Sequence, residues 1–294
     1  VRALITGSAG FVGRHTAAEL ERRGWSVVGI DILNGDGGAF NDATHFFRYT
    51  TGRYDLVIHA AASAPHRTAI DTEHQHMARN LMLDAAMFEW AVRTRQHRVV
   101  YLSSSAAYPI ALQGMEPWPL REDDIDLDDA DEPDSVYGWT KLTGERLARE
   151  ARRDGLAVTV VRPFSGYGED QSPNFPFRAI LDRVKGREDP VHVWGSGDQV
   201  RDWIHIDDVV RGMLAVAEHG ISTPVNLGTG EGTSMFELAI MAAKLAGHHA
   251  VVKALPDRPA GVHHRVAHAN LFRRIYTPRI SLEEGILRAL ARDS

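Results

Sequence analysis

Three glycines spaced by two residues, Gly7, Gly10 and Gly13, stand between an apolar run from Arg2 to Thr6 and a helical pattern from Phe11 to Arg23. A strand that turns through glycines into a helix commits the chain to a crossover over a sheet, so this feature limits the fold more than any other. The remainder of the first third repeats the rhythm. Ser26 to Asp31, Asp55 to His59 and Arg98 to Ser103 read as short strands, and Asp71 to Thr94 reads as a helix. A helix from Val136 to Asp154 and a strand from Ala157 to Arg162 continue it. Strands alternating with helices predict an α/β fold with a long, doubly wound parallel sheet.

The glycine turn also has a chemical reading. Without side chains the backbone approaches a pyrophosphate closely, and the N–H groups of Phe11, Val12 and Gly13 together with the helix dipole attract its charge. A glycine turn alone is weak evidence, since turns before helices carry Gly for steric reasons as well. The supporting residue is Asp31, 18 positions past Gly13 at the end of the second strand. A carboxylate there accepts hydrogen bonds from both ribose hydroxyls of a dinucleotide and repels a 2′-phosphate, so the pattern predicts NAD rather than NADP.

Composition removes other functions. The formal net charge of -6 offers no cationic field for nucleic acid or an anionic membrane. With no cysteine, disulfides, thiolate metal sites and cysteine nucleophiles are excluded, in keeping with a reducing, cytoplasmic setting. No apolar run reaches the roughly 20 residues that span a bilayer. The sequence opens on a strand pattern without a charged leader, so the protein is expected to be soluble and unexported. The pairs His248-His249 and His263-His264 have no acidic third ligand at helical spacing, and no metal is expected.

Tyr137 and Lys141 are four residues apart, on one face of the expected helix. A phenol near pKa ~10 becomes a useful base at neutral pH only beside positive charge, which Lys141 and an oxidised nicotinamide supply. Taken alone, such a pair is more often a lysine lying over a ring. Ser103-Ser104-Ser105 changes that balance, because parallel strands deliver their carboxyl ends to the crevice beside the glycine turn.

After Arg162-Pro163 the texture changes: Gly166, Gly168, Pro173 and Pro176 precede a helix from Phe177 to Lys185 and a strand from Val191 to Trp194. Ile206 to Glu218 and Val225 to Leu227 read as a helix and strand returning to the sheet. Ser234-x-x-Glu237 and Ser281-x-x-Glu284 are capping boxes opening two helices. The acidic stretch from Arg121 to Asp134 is expected to be a solvated loop too polar to pack.

At this point the chain resembles the extended short-chain dehydrogenases/reductases of the NAD-dependent epimerase/dehydratase family, from Arg2 almost to the C-terminus. The resemblance rests on Gly7, Gly10 and Gly13; on His59-Ala60-Ala61-Ala62; on Asn80; and on Ser104, Tyr137 and Lys141 as a catalytic triad. Arg162 to Gly168 is similar to the family's strand leading from the nicotinamide to the sugar, with Ser165 where asparagine is usual. Gly195 to Asp208 resembles the signature whose arginine, here Arg201, meets the substrate diphosphate, and Asn226 to Gly230 and Arg258-Pro259 also match. The resemblance implies a Rossmann-type sheet over 1–164, with 199–228 returning to it, and a smaller, interleaved substrate lobe over 165–198 and 229–294. It implies cofactor contacts at Asp31, Ile32, Ala60, Ala61, Ala62, Asn80, Tyr137, Lys141 and Pro163 besides the glycine turn. Substrate contacts fall to Ser104, Ser105, Ser165, Asn174, Arg201 and Arg258, the last through the forked donors of guanidinium. Trp194 and Phe175 are candidates to flank the base, which stays unassigned. A homodimer through the helices 71–94 and 136–154 follows by analogy. One departure is that only 23 residues separate Asp31 from Asp55, so the usual third strand and its helix are shortened and the adenine pocket is altered.

Within that family the residues after the catalytic serine discriminate between reactions. Dehydratases resemble one another in an Asp-Glu pair there, and sugar-acid decarboxylases carry a Glu at the second position; here the positions are Ser105 and Ala106. The 3,5-epimerases that use a cysteine–lysine pair need a thiol. What remains is a nucleoside-diphosphate-sugar 4-epimerase working through a 4-keto sugar. The alternatives are a reductase of NDP-4-keto sugars or an NDP-sugar dehydratase, and, outside enzymes, a non-catalytic dinucleotide sensor.

Overall fold

The computed structural model describes residues 1–33, 42–63 and 74–292. The expected start of the 71–94 helix and part of the shortened segment after Asp31 lie outside them. The first strands alternate their apolar side chains between two cores. In β1 (Arg2–Thr6), Ala3 and Ile5 face one and Leu4 faces the other; in β3 (Leu56–His59), Leu56 and Ile58 oppose Val57. This period of two, buried on both faces, is what a central parallel strand requires.

Six such strands form one sheet. With β2 (Ser26–Ile30), β4 (Val99–Leu102), β6 (Val158–Pro163) and β10 (Val225–Leu227), the order is β10-β6-β4-β3-β1-β2, every pair parallel. On one face pack α1 (Phe11–Arg22) and α6 (Ile206–His219), joined by Phe272 of α8 (Asn270–Arg273). On the other lie α2 (Ala43–Tyr49), α3 (His74–Arg93) and α4 (Val136–Arg153). The sheet is therefore doubly wound. β2 and β3 leave β1 in opposite directions, which opens a crevice at the carboxyl ends of β1 and β3.

The 31–55 crossover explains the short spacing read from the sequence. Among the described residues β2 is an edge strand of this sheet, and the seven-residue α2 precedes β3, which lies on the far side of β1. Asp42 caps α2 by accepting from the Thr44 and His45 N–H groups, and Phe46 and Phe47 seat it against Trp90 of α3.

Two further sheets carry the second half. β7 (Ser165–Tyr167) pairs with β9 (Val200–His205), which also pairs with β11 (Gly232–Ser234) and β13 (His264–Ala267); β13 pairs in turn with β5 (Pro119–Leu120). β8 (Val191–Trp194) pairs with β12 (Val252–Leu255). Their apolar residues join α5 (Pro176–Lys185), α7 (Met235–Leu245) and α9 (Leu282–Ala291) in a separate core. At α7 both halves of the capping box form between Ser234 and Glu237. At α9 Ser281 accepts from the Glu284 N–H, but the Glu284 carboxylate turns to Arg288 at 2.5 Å instead of reaching back.

The acidic stretch has most of its carboxylates exposed, as expected of a solvated loop, but departs from that expectation at Glu122 and Asp134. Glu122 is partly buried and accepts from the Asn226 N–H at 3.1 Å, its C=O accepts from Arg162, and Asp134 accepts from Arg265 at 2.5 Å. These two carboxylates are met by partners distant in sequence, which local composition does not reveal, while Asp123, Asp126, Asp128, Asp129, Asp131 and Glu132 are exposed. No helix among the described residues is long and apolar enough to cross a membrane.

Candidate active site

The glycine turn is shaped by contacts only glycine permits. Gly7 has φ +72°, and a Cβ on it would lie 2.7 Å from the Ala61 backbone at the end of β3. A Cβ on Gly13 would lie 1.9 Å from the Gly7 carbonyl oxygen, and one on Gly10 3.1 Å from the same atom. The first i→i−4 bond of α1 runs from the Arg14 N–H to the Gly10 C=O, 3.0 Å, so the N–H groups of Phe11, Val12 and Gly13 precede the helical ladder. No acidic residue occupies the first turn. These donors fit a pyrophosphate.

Asp31 follows β2 beside this turn. Its Oδ2 accepts from the Ala9 N–H at 3.0 Å and its Oδ1 from the Leu33 N–H at 2.9 Å. Each oxygen keeps a second acceptor site, so the carboxylate is oriented by the loop and still fits a ribose diol. Ile32 beside it is exposed. Across the crevice, Ala60, Ala61 and Ala62 continue β3, and the buried Asn80 of α3 brackets Ser63, accepting its N–H at 2.7 Å and donating to its C=O at 3.0 Å. The turn and its neighbours thus fit a dinucleotide cofactor.

Next along the sheet comes the serine run. Ser103 is buried and donates to Glu145 of α4, whereas the partly buried Ser104 caps a short 3-10 turn by accepting from the Ala106 N–H at 3.1 Å; Ser105 is buried. Ser135 caps α4, accepting from the Gly138 N–H. One turn further in, Lys141 is only 4% exposed, yet its Nζ donates to the Leu102 C=O at 2.8 Å and stands 5.6 Å from the centroid of the Tyr137 ring. The ammonium therefore binds the carboxyl end of β4, one residue before the serines, while facing Tyr137. Pro163 ends β6, the next strand along.

Beneath these groups runs a buried polar chain that the sequence reading did not assign. Glu145, one helical turn after Lys141, accepts from Arg162 Nε at 2.9 Å and Nη2 at 2.7 Å, with both side chains 1% exposed. Arg162 Nη1 donates to Tyr108 Oη at 3.0 Å, and Tyr108 donates to Asn226 Oδ1 at 2.7 Å. Burial alone lowers the pKa of Arg162, but the facing carboxylate outweighs it and holds the guanidinium above its usual range; burial pushes the Tyr108 phenol up. A charge inside the otherwise apolar run Val158-Thr159-Val160-Val161 was the available signal.

Of the remaining expected site residues, Ser165 and Arg201 lie on the smaller sheets and Asn174 and Arg258 in turns. Ser165 opens β7. Arg201 is buried on β9 and donates to its own neighbour's Val200 C=O at 2.8 Å. A salt bridge of Arg201 to Asp202 or Asp207 was the alternative to a ligand role. Asp202 is instead committed to the Thr229 N–H and hydroxyl and the Gly230 and Ala267 N–H groups, and Asp207 faces Arg211 and Arg288. Burial pushes the Asp202 carboxyl up, opposed by those four donors. Arg258 is exposed and stacks over Trp194 at 5.8 Å, and Asn174 sits in the exposed turn before α5, its N–H donating to Ser172. Neither has a contact described with the Tyr137–Lys141 pair. Among the described residues no group of three His, Cys, Asp or Glu side chains is arranged to hold a metal.

A doubly wound parallel sheet with a glycine cradle, a strand-end acid and a Tyr–Lys helix defines a dinucleotide-binding protein of the short-chain dehydrogenase/reductase type. Residues 3–228 match the profile of the NAD dependent epimerase/dehydratase family, and the chain belongs to that family, whose cofactor is NAD. The UDP-glucose 4-epimerase of Halalkalibacterium halodurans is 27% identical over 87% of this chain and 83% of its own length. The GDP-mannose 3,5-epimerase of Arabidopsis thaliana is 28% identical over 96% of this chain and 79% of its own. In fold, the UDP-glucose 4-epimerase of Thermotoga maritima, solved with UDP-glucose, superposes with a TM-score of 0.86 at 24% identity, covering 99% of this chain and 97% of that one.

Proposed function

We propose that this protein is a nucleoside-diphosphate-sugar epimerase that inverts C4 through a transient 4-keto sugar. One observation carries the reading: a buried ammonium, Lys141, bound to the end of β4 and facing the Tyr137 ring. NAD, when bound, supplies the redox couple that oxidises and re-reduces the sugar carbon. Tyr137, as a phenolate stabilised by Lys141, takes the proton of the C4 hydroxyl as the ketone forms, holds it as the neutral phenol while the sugar turns, and then returns it. Ser104 hydrogen-bonds the same oxygen, and Ser105 borders the sugar. Gly7, Gly10, Phe11, Val12 and Gly13 would hold the pyrophosphate of the cofactor, Asp31 and Ile32 its ribose, and Ala60, Ala61, Ala62, Asn80 and Pro163 would line its path. Ser165, Asn174, Arg201 and Arg258 hold the sugar nucleotide, the arginines on its diphosphate.

The same reading divides the chain into a cofactor domain, 1–164 with 199–228, and a nucleotide-sugar lobe, 165–198 and 229–294. It makes the protein a cytoplasmic homodimer through α3 and α4, where Met82 and Trp139 are exposed. Inversion by a cysteine–lysine pair is out of reach, because the chain has no cysteine. The test is incubation with UDP-, GDP- and TDP-sugars followed by NMR. Interconversion of C4 epimers by protein that retains its cofactor supports the proposal. Turnover of a 4-keto sugar with cofactor exchange favours the reductase, loss of water the dehydratase, and binding without turnover the sensor.

A further inference from the structure

A second chain of polar groups runs from Thr6, the residue before the glycine turn, to the ring beside the ammonium. The Ala61 N–H donates to Thr6 Oγ1 at 3.4 Å. Thr6 Oγ1 lies 2.8 Å from His59 Nδ1, His59 Nε2 lies 3.0 Å from Asp84 Oδ1, and Tyr101 Oη donates to Asp84 Oδ2 at 2.6 Å. One assignment satisfies every member: Nε2–H donates to Asp84, and Nδ1 accepts from the threonine hydroxyl. Thr6, His59, Asp84 and Tyr101 are all buried.

The chain ends on a ring rather than on a hydrogen bond to the lysine. Lys141 Nζ stands 5.1 Å from the centroid of Tyr101, and its only described hydrogen bond is to the Leu102 C=O. Helix α4 is cut away to admit this arrangement: a Cβ on Gly144 would lie 1.8 Å from Tyr101 Oη and 2.8 Å from Asp84 Oδ2. A phenol donating to a carboxylate carries a more electron-rich ring, which strengthens its attraction for a desolvated cation.

We propose that Tyr101, locked by Asp84 and His59, is a positioning residue whose ring forms the platform that holds the Lys141 ammonium in place. Its consequence for turnover rests on the Tyr137–Lys141 reading above; the placement of the lysine does not. Burial of Tyr101 together with the Asp84 charge raises the Tyr101 phenol well above its ordinary pKa, which keeps it a donor. The ring stays fixed and neutral under the ammonium, and the Asp84–His59–Thr6 chain ties that geometry to the strand ends that carry the cofactor turn.

The sequence makes the test direct, because the chain has only four lysines: Lys141, Lys185, Lys244 and Lys253. Protein labelled with 13C at lysine Cε gives four resolvable side-chain signals, and Lys141→Arg identifies the one in question. The Lys141 signal is expected upfield of the others through ring current. It should keep most of that shift in Tyr101→Phe, which retains the ring, and lose about half or more in Tyr101→Met, which fills the space without one. For the folded holoenzyme, Tyr101→Met should lower kcat at least tenfold with KM within twofold, and Tyr101→Phe should restore kcat to within threefold of wild type. A wild-type Lys141 signal among those of the other lysines overturns the proposal even if Tyr101→Met fails to fold. So does a Met variant that leaves the signal unmoved, or a Phe variant as impaired as Met. If the wild type turns over no nucleotide sugar, the functional reading fails while the spectrum still decides the placement of Lys141.

Discussion

The buried pair of Glu145 and Arg162 permits a prediction in which magnitude and sign both follow from the contacts. Glu145 accepts two bonds from the guanidinium and one from Ser103, and Arg162 spends its other donors on Tyr108 and the Glu122 C=O. Glu145→Leu strands a guanidinium that is only 1% exposed without the carboxylate that pairs with it, a change that costs roughly 3–5 kcal/mol. At about 2–4 °C per kcal/mol, Tm should fall by about 6–20 °C. Arg162→Met should cost somewhat less, because a stranded carboxyl can take up a proton. The double variant strands neither charge and loses only neutral partners at Ser103, Tyr108 and the Glu122 C=O, each worth about 1 kcal/mol. It should therefore be more stable than Glu145→Leu alone. The assay is a double-mutant cycle by thermal and urea unfolding of the NAD-loaded protein. Additive losses, or a double variant less stable than both singles, would refute the reasoning.

Three more predictions follow from single sites. Gly13→Ala drives a methyl into the Gly7 carbonyl and should weaken NAD binding at least ~30-fold, about 2 kcal/mol, by calorimetry; unchanged affinity would remove the turn from the cofactor site. Tyr137→Phe should lower turnover by roughly 10²–10⁴ while leaving NAD bound, measured by NMR of product and by cofactor content. Glu19, held down to about 2 from 4.5 chiefly by its hydrogen bond to Arg22, with Arg23 adding to it and burial opposing, has a folded pKa below its unfolded one. Its contribution, about 1 kcal/mol after screening at the exposed Arg22, is present above pH 4.5 and lost as pH falls toward 2. The Tm gap between wild type and Glu19→Gln should close over that window; a gap constant from pH 7 to 2 contradicts it.

Much of the fold was legible because its signals are local. Alternating burial on both faces writes β1, β3, β4 and β6 as apolar runs, and β1, β8 and β10 begin and end where the sequence reading put them. The glycine turn was legible because steric exclusion leaves no other residue at Gly7 or Gly13. The Tyr137–Lys141 pair was legible because helical spacing puts both on one face. What the sequence hid are pairings between distant residues. Nothing near Glu122 or Asp134 announces that Asn226 and Arg265 will meet them, so the two ends of a stretch whose carboxylates are mostly exposed pack where the sequence shows only charge. Asp84 looks like a surface carboxylate on an amphipathic helix until His59 and Tyr101 arrive from two strands. Arg162, a lone charge in an apolar strand, is the one local sign of the buried pair with Glu145.

In the proposed reaction the sugar's C4 hydrogen leaves and returns within one closed site, and a substrate deuterated at C4 tests that directly. Incubated in ordinary water with the NAD-loaded protein and followed by NMR, the equilibrated pair of C4 epimers should both retain deuterium at C4, with no net accumulation of NADH. Deuterium washed out into solvent, or inversion accompanied by steady release of reduced cofactor, would contradict the account.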